Sequence, residues 1–206
     1  MKRDPRYDIL FEPVKIGPVT ARNRFYQVPH CNGMGRTYPT SMAEMRGIKA
    51  EGGWAVVCTE ETEIHHTSEH SPGIEGRLWD DSDIPVFARM NDRIHEHGSL
   101  AGVELAYAGM VSPNRYSREI PLAPSHWTVD AYDPVQARMM DKSDIKTVRR
   151  WHVDAALRAR RAGFDIIYVY AGHSLSILMH FLSRERNNRS DEYGGSLENR
   201  VRLFRE

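Results

Sequence analysis

The stretch FDIIYVY, residues 164–170, places apolar side chains at both odd and even positions, so neither of its faces is polar. A strand of this kind is typically buried on both sides, as in a parallel sheet covered by helices. Residues 24–29, 54–58 and 100–107 are also rich in apolar, β-branched and aromatic residues, and we predict them as strands. The sequence therefore predicts an α/β fold with four central strands.

Helical patterns separate these strands and follow the last one. They are predicted over residues 41–53 and 83–97, from Ser143 or Asp144 to Gly163, and from Ser196 onward. Ser82 is the predicted N-cap of the second helix, and Gly98 its stop. In the fourth helix Leu197, Val201 and Phe204 recur at helical spacing, which predicts a single buried stripe. Strands and helices thus alternate four times, which indicates a parallel α/β fold.

Two parallel architectures are compatible with this alternation. A dinucleotide-binding sheet would carry Gly-x-Gly-x-x-Gly after an early strand, but here Gly33 and Gly35 lack the third glycine. A (β/α)8 barrel fits better. A hairpin predicted within residues 1–23, with its turn at Gly17 and Pro18, would close the bottom of such a barrel.

The length of the chain decides how much of a barrel to expect. A (β/α)8 barrel takes about 250 residues, whereas this chain has 206. We therefore expect residues 1–206 to be the N-terminal portion of a TIM barrel domain, with residues 24–206 as its first four βα units. The alternative is a complete, small α/β domain with four strands.

Composition excludes several classes of function. Lysine plus arginine and aspartate plus glutamate both number 28, so the net charge is zero and no nucleic-acid partner is expected. No apolar run approaches the roughly 20 residues of a membrane span, and residues 1–13 lack the apolar core of a signal peptide. Cys31 and Cys58 are too few for a disulfide framework or a paired zinc motif. We expect a cytoplasmic protein without a metal site.

Polar or titratable residues follow every predicted strand, where the active sites of parallel α/β proteins gather. In chain order they are His30 and Cys31, Glu60 and Glu61, Glu104 and Tyr107, and Tyr170 and His173. Their convergence at one end of the sheet predicts a site. Taken singly, each tyrosine could be a packing residue, His173 a surface histidine and Cys31 an inert apolar residue. A buried Glu104 would need a hydrogen-bond donor, so we expect a partner for it.

The segment after the second strand contains His65, His66 and His70. These histidines lie in a predicted loop and do not form the helical His-Glu-x-x-His motif of a zinc protease. We predict that they lie in a solvated loop rather than in a metal site.

Four motifs, RNRFYQVPH, KAEGGW, GVELAYAG and DEYGGSLENR, resemble those of the old yellow enzyme family of FMN-dependent (β/α)8 barrels. QVPHC, KAEGGWAVVCTE, SLAGVEL and AGFDIIYVYAGHS narrow the resemblance to the amine dehydrogenase branch, which includes the trimethylamine and dimethylamine dehydrogenases. The resemblance extends from about Arg3 to the end of the sequence.

The resemblance implies roles for single residues. In this branch a cysteine after the first strand bonds covalently to C6 of the flavin, and Cys31 stands there, beside His30. A nearby positive charge is expected to lower the pKa of this thiol. A glutamate on the third strand lies near the flavin pyrimidine edge, and Glu104 matches it as an acceptor for the ring N3–H. Tyr170 and His173 match a tyrosine and histidine that follow the fourth strand.

The implied reaction is oxidative N-dealkylation, in which a neutral amine passes a hydride to flavin N5. Tyr170, with its pKa tuned by His173, would help to set the protonation state of the amine. Glu61 stands where trimethylamine dehydrogenase has an aromatic wall of its cation cage, and Glu61 and Tyr107 are the expected substrate contacts. A carboxylate at this position favours a primary, secondary or larger amine that can donate an N–H.

The expected partners are a small amine and an electron acceptor such as an electron-transfer flavoprotein, and a homodimer is one expected assembly. A 4Fe-4S cluster, a third partner for the Tyr–His pair and the flavin phosphate site are expected only in a longer parent protein. One alternative is an NADH:flavin oxidoreductase or ene reductase, which would take NAD(P)H as donor. Another is an inactive half-barrel with exposed strand edges.

Overall fold

The computed structural model describes residues 4–71, 73–128 and 136–206, so residues 1–3 of the predicted hairpin segment lie outside the described residues. The strands are β1 (Val14–Ile16), β2 (Val19–Ala21), β3 (Tyr26–Gln27), β4 (Val56–Glu63), β5 (Gly76–Arg77), β6 (Leu100–Ala106), β7 (Leu122–Ala123), β8 (Trp127–Thr128), β9 (Gln136–Met139) and β10 (Ile166–Val169). The α-helices are α1 (Pro39–Glu51), α2 (Ile84–His95), α3 (Lys142–Arg161), α4 (Ile177–Leu182), α5 (Leu197–Arg200) and α6 (Arg202–Arg205).

Four parallel strands form the central sheet in the order β10-β6-β4-β3, and β5 pairs with the end of β4. The four predicted strands are therefore present and neighbouring. Two are shorter than expected, since the first covers only Tyr26–Gln27 and the fourth only Ile166–Val169. The fourth is also not buried on both faces, because Ile167 and Val169 are 37% and 49% exposed. In the described sheet β10 pairs with β6 alone, so one edge and one face of it are uncovered.

The predicted hairpin is formed by β1 and β2, which pair antiparallel around Gly17. Gly17 has φ 55°, a left-handed conformation that glycine adopts without steric cost. Val14, Ile16 and Ala21 of this hairpin pack with Val56, at the start of β4. The hairpin therefore covers the amino-terminal end of the sheet and leaves its carboxyl end free for other groups.

Helices α1, α2 and α3 pack on one face of the sheet, and we call this the outer face. The main core lies between these helices and the sheet. It includes Met42, Phe87, Met90, Ile94, Val103, Leu105, Ile145 and Val148. The N-cap expected at Ser82 is wrong: the carboxylate of Asp80 accepts hydrogen bonds from the backbone N–H and hydroxyl of Ser82, and a 3-10 turn over Asp81–Asp83 precedes α2. Asp141, rather than Ser143 or Asp144, caps α3, while Asp144 completes the capping box.

Other elements were not predicted. A three-stranded sheet in the order β7-β9-β8 and the short helix α4 occupy segments for which the sequence predicted neither a strand nor a helix. The single last helix is two short helices, α5 and α6, which break at Val201. Leu197 and Phe204 are 64% and 40% exposed, so the expected stripe is not buried, and Leu203 fills the core instead. Within the described ranges no helix is long and apolar enough to cross a bilayer.

Candidate active site

The inner face of the central sheet, opposite the helices, carries the polar residues at its carboxyl end. Side chains alternate between faces along a strand. On β6, a Cβ at Gly102 would lie 2.6 Å from Sγ of Cys58, which places both residues on the inner face. Glu104 lies two residues further along the same face. Tyr168 pairs with Glu104 in register, and Tyr170 follows it by two.

A β-bulge on β4 decides which glutamate lies beside Glu104. Cys58 pairs with Gly102 and Glu61 pairs with Glu104. Between these two pairs β4 advances by three residues while β6 advances by two. Without the extra residue, strict alternation from Cys58 would bring Glu60 to this position. The bulge instead brings Glu61 opposite Glu104, while Glu60 accepts a hydrogen bond from the backbone N–H of Asn32, at 3.4 Å.

Five carboxyl groups, from Glu60, Glu61, Glu63, Glu75 and Glu104, form what we call the acidic cluster. Burial raises the pKa of Glu61 to about 8, and repulsion from Glu75 and Glu104 adds to this shift. Burial also raises the pKa of Glu63 to about 8 and those of Glu60 and Glu104 to about 7. Because buried like charges disfavour ionisation, the cluster retains protons near neutral pH unless a cation enters it.

The cluster contains unsatisfied acceptors. Oε1 of Glu61 and Oε2 of Glu75 are buried and have no hydrogen-bond partner among the described residues. Nδ1 of His70 lies 3.9 Å from Glu61 and 3.8 Å from Glu75, beyond hydrogen-bonding distance. Burial lowers the pKa of His70, so this imidazole does not supply the missing charge. A group that brings N–H donors or positive charge would satisfy these oxygens.

The histidine segment is more packed than predicted. The ring of His65 stacks on Trp151 with centroids 3.6 Å apart, and burial lowers the pKa of His65 to about 4. Both His65 and His70 are partly buried, so the expectation of a fully solvated loop is wrong for them. The segment folds inward because the backbone N–H of His70 donates to Oε1 of Glu63, at 2.9 Å.

Tyr170 and His173 form a direct pair beside the acidic cluster. The hydroxyl of Tyr170 lies 2.5 Å from Nδ1 of His173. Burial raises the pKa of Tyr170, and the charges of Glu104 and Glu61 raise it further. At neutral pH the phenol therefore keeps its proton and can donate it to Nδ1. A Cβ at Gly172 would lie 2.9 Å from the Tyr170 ring, so a glycine lets the ring fold over this loop.

Cys31 lies in the loop between β3 and α1 as an exposed free thiol. The sulfur is nevertheless partly desolvated, and this desolvation, followed by the charges of Glu60, Glu75 and Glu61, raises its pKa, contrary to the lowered value that we expected. His30, which precedes it, donates its backbone N–H to the carbonyl of Thr59 at 3.2 Å. The loop is close-packed, because a Cβ at Gly35 would lie 1.8 Å from Oε1 of Glu60.

Sequence reasoning missed Arg46. Its guanidinium is fully buried on α1, and Nη2 donates to the carbonyl of His30 at 2.7 Å. Nε and Nη1 of Arg46 have no partner among the described residues. The sequence did contain a signal for Arg46: it is a charged residue on the helix face that also buries Met42, Ala43 and Ala50. Glu60 is the main electrostatic partner of Arg46, and the thiols of Cys58 and Cys31 also act on its charge.

The structure does not bring Tyr107 to this group. Its ring lies on the outer face, stacked with Trp151 at 5.7 Å between centroids, and its hydroxyl lies 3.1 Å from that of Thr67. Tyr107 follows Glu104 by three residues, and an odd spacing on a strand points two side chains to opposite faces. This alternation was available from the sequence. The other predicted site residues lie on or beside the inner face at the carboxyl end.

The residues present fit the flavin that the resemblance implies. Burial is the one cause that raises the pKa of Glu104, and no donor offsets it, so this inner-face carboxyl can accept a ring N–H. The partner that we expected for Glu104 is not provided by the described residues. Cys31 and the backbone of His30 flank the same end of the sheet. Among the described residues, no group of histidine, cysteine, aspartate and glutamate has a geometry suited to a metal ion.

Known proteins match nearly the whole chain. Residues 9–206 match the model of the NADH:flavin oxidoreductase / NADH oxidase family. The solved structure of histamine dehydrogenase from Rhizobium sp. 4-9 is 60% identical with a TM-score of 0.96, and the match covers 98% of this chain and 31% of that one. Dimethylamine dehydrogenase of Hyphomicrobium sp. (strain x) is 45% identical over an alignment of 210 positions, which covers 99% of this chain and 28% of the relative.

A third relative lies outside the amine dehydrogenases. NADPH dehydrogenase of Geobacillus thermodenitrificans (strain NG80-2) is 34% identical over an alignment of 208 positions, which covers 96% of this chain and 58% of the relative. The chain thus spans less than a third of the two amine dehydrogenases and somewhat more than half of the NADPH dehydrogenase. The fold is the N-terminal part of a (β/α)8 barrel, as the sequence predicted.

Proposed function

Because the chain belongs to the NADH:flavin oxidoreductase / NADH oxidase family, we propose that it is part of an FMN-dependent oxidoreductase that oxidises a small amine. The observation that carries this proposal is the carboxyl of Glu61, which is buried, has an unpartnered oxygen and lies beside Glu104 and Tyr170. A carboxyl in this state binds a protonated amine well, since a charge-assisted hydrogen bond would replace an unmet one. The relatives named for dimethylamine and histamine support the same class of substrate.

In this proposal His30, Cys31 and Glu104 hold the flavin, and Glu104 accepts its ring N–H. When bound, the flavin supplies the hydride acceptor. The inner face contributes the walls of the pocket, because the helices cover the other face of the sheet. Tyr107 is not included, since its ring lies in the helix layer.

Proton handling falls to Tyr170, His173 and Glu61. An ammonium group must lose a proton before the carbon beside it can give up hydride, because the nitrogen lone pair stabilises the cation that forms. The phenol of Tyr170 can pass its proton to Nδ1 of His173 while its oxygen accepts one from the amine. Glu61, whose carboxyl ionises when a cation lies beside it, is a second acceptor for the proton of the ammonium group.

The acidic cluster extends past the site of oxidation. From Tyr170 the carboxyls continue through Glu104 and Glu61 to Glu75, which has an unpartnered oxygen of its own beside His70. A single small ammonium group would leave Glu75 unsatisfied. This arrangement favours an amine with a second basic or N–H-bearing group, as in the histamine for which one relative is named.

Cys31 is the proposed point of covalent attachment. Its sulfur would replace the hydrogen at flavin C6, with two electrons and two protons passing to dioxygen, so that hydrogen peroxide balances the bond formed. In acid-precipitated protein, wild type should retain yellow flavin and Cys31→Ser should release it. Cys58→Ser is the matched control, because Cys58 lies at the amino-terminal half of the inner face. Equal retention in wild type and Cys31→Ser would exclude this linkage.

A second candidate is an NADPH-dependent flavin reductase, which the relatives named NADPH dehydrogenase favour. The candidates differ in their electron donor. In the amine proposal the electrons leave to an acceptor protein such as an electron-transfer flavoprotein, and in the alternative NAD(P)H provides them. A reducing cytoplasm suits both, since Cys31 and Cys58 are free thiols.

The test uses the flavin-loaded protein expressed from its complete reading frame, mixed without oxygen with each candidate donor. We expect dimethylamine or histamine to bleach the oxidised flavin quickly and NADPH to bleach it slowly or not at all. Rapid bleaching by NADPH alone would reject amine oxidation in favour of the alternative. Glu75→Gln should lower kcat/KM for histamine by about tenfold and that for dimethylamine by less than about twofold, with Glu63→Gln as the matched control.

A further inference from the structure

His180 is a fully buried titratable residue that the proposed function does not use. It lies on α4, between Met179 and the buried Phe181. Burial lowers its pKa to about 4, so the imidazole is neutral at physiological pH. A neutral histidine in the core is costly unless its N–H has an acceptor, so the position of that acceptor indicates what the residue does.

The acceptor is the backbone carbonyl of Ser174, which lies 2.9 Å from Nε2 of His180. Because a carbonyl can only accept, the proton must sit on Nε2, and the tautomer is fixed. Nδ1 then has no hydrogen and is left without a partner among the described residues. The side chain therefore makes a single directed contact, back to the loop that precedes α4.

That loop has an uncommon backbone. His173 and Ser174 have φ values of 53° and 58°, two consecutive non-glycine residues in the left-handed region. This region is sparsely populated by residues with a Cβ, and such turns persist only where surrounding contacts hold them. The turn directs His173 back toward Tyr170, so the 2.5 Å contact between the two side chains depends on it.

The helix that carries His180 is firmly anchored. The backbone N–H of Ile177 donates to the carbonyl of Tyr107 at 2.8 Å, and Nδ2 of Asn187 donates to the carbonyl of Phe181 at 2.7 Å. Ile177 and Phe181 are themselves buried in the core. His180 thus joins a fixed helix to a strained turn.

We propose that His180 is a positioning residue, which holds the His173–Ser174 turn so that His173 meets Tyr170. This inference rests on the proposed role of the Tyr170–His173 pair in proton handling. His180 acts through the turn and does not touch the substrate or the flavin. Its imidazole could be replaced by another side chain that places an N–H donor at the same point.

The first test compares two variants in the flavin-loaded, full-length protein. His180→Leu fills the volume but removes the donor, whereas Nε2 of Gln in His180→Gln can reach the Ser174 carbonyl. We expect kcat for an amine to fall about 10- to 100-fold in His180→Leu and to recover to within about threefold in His180→Gln. If His180→Leu does not fold, His180→Met is the second donor-free variant. Equal loss in the donor-free and Gln variants would overturn the proposal.

A double-mutant cycle separates positioning from general stability. In a Tyr170→Phe background, where the pair is already broken, His180→Leu should cost less than about twofold more. The same loss in both backgrounds would assign His180 a merely structural role. Phe181→Leu is the control, since it disturbs α4 without touching Ser174 and should lower kcat by similar factors with and without Tyr170.

A spectroscopic measurement keeps this inference apart from the proposed function. The ¹⁵N NMR signal of His173 Nδ1 should show a hydrogen bond from Tyr170 in wild type and His180→Gln, and lose it in His180→Leu. If Tyr170→Phe retained full amine oxidation, the catalytic proposal would fail, while the NMR result would still decide the role of His180. An unchanged His173 signal in His180→Leu would overturn the positioning role.

Discussion

The two halves of the inner face are built on the same strands but treat their polar groups differently. In the lower half, toward the hairpin, Tyr168 donates to Tyr26, and Sγ of Cys58 lies 3.8 Å from the Tyr168 hydroxyl. Burial raises the pKa of Tyr26 to about 12 and that of Cys58 to about 11, so these groups stay neutral and bond to one another. In the upper half the acidic cluster leaves oxygens of Glu61 and Glu75 unmet.

The difference shows where the chain gives up stability. A buried carboxyl without a donor costs free energy, whereas hydroxyls and a thiol that bond to each other cost little. The geometry of the strands does not require acidic residues in the upper half, since neutral groups fill the inner face of the same strands in the lower half. The free-energy cost of burying these carboxyls in the upper half is explained if a cation and a flavin bind there.

Removal of the Tyr170 hydroxyl should have the largest effect on the activity assigned to the upper half. In Tyr170→Phe, the amine loses its route to His173, so kcat/KM for amine oxidation should fall about 10²- to 10³-fold with little change in melting temperature. Steady-state assay with an artificial acceptor measures the fall. A loss below about threefold would show that the upper half is not the catalytic half.

Neutralising Glu61 should have the next largest effect. Glu61→Gln keeps the size of the side chain but removes the charge, and kcat/KM should fall about 10- to 100-fold. In wild type, kcat/KM should rise with pH as Glu61 ionises near its pKa of about 8, and the variant should lack this rise. Glu63→Gln, a neighbouring buried carboxyl, is the control. Identical pH profiles for wild type and Glu61→Gln would contradict the proposed role.

The ligand-free protein should lose stability as pH rises. The pKa values of Glu61 and Glu63, about 8, exceed their ordinary 4.5, so the unfolded chain releases these protons first. The stability that these two protonated carboxyls contribute is therefore fully present below about pH 4.5. It declines as the pH rises toward 8, by about 1.4 kcal/mol per pH unit for an independent group. From pH 5 to pH 8 this amounts to about 4 kcal/mol for one group, so we expect a melting temperature at least roughly 8 °C lower at pH 8 than at pH 5. Glu61→Gln should flatten the slope, and a slope unchanged by it would place the proton release elsewhere.

The smallest effect should come from the lower half. Tyr26→Phe removes one hydroxyl from a neutral network, which should cost about 1 kcal/mol, or about 2–4 °C in melting temperature. Amine oxidation should stay within about twofold of wild type, because the site lies at the other end of the strands. A large loss of activity with normal stability would show that the two halves are coupled.

Much of the framework followed from the sequence because it depends on local patterns. Apolar runs at 54–58 and 100–107 predicted neighbouring parallel strands. Because parallel strands share one carboxyl end, the sequence also predicted that Glu104 lies near Tyr170 and His173 there, with Cys31 in the loop after β3. The error over Tyr107 came from ignoring the alternation of side chains on a strand. Asp80 caps the 3-10 turn over Asp81–Asp83, so Ser82 lies within that turn and does not cap α2.

Other features depend on contacts between distant segments. The bulge that selects Glu61 over Glu60 is a matter of pairing between β4 and β6, and neither strand alone encodes it visibly. Glu75 joins the cluster because β5 pairs with the end of β4. His180 and Arg46 act through backbone carbonyls of Ser174 and His30, which sequence patterns do not reveal. The raised pKa of Cys31 likewise reflects carboxyls brought near by folding.

The most direct test of the upper half is the proton balance of amine binding. tert-Butylamine has no hydrogen on the carbon beside nitrogen, so it can bind as an ammonium ion but cannot be oxidised by hydride transfer. Calorimetric titration of the flavin-loaded protein near pH 7, in buffers of different ionisation enthalpy, gives the number of protons released. Because Glu61 has a pKa of about 8, the account predicts release of roughly one proton per amine in wild type and none in Glu61→Gln. Binding without proton release, or equal release in both proteins, would contradict it.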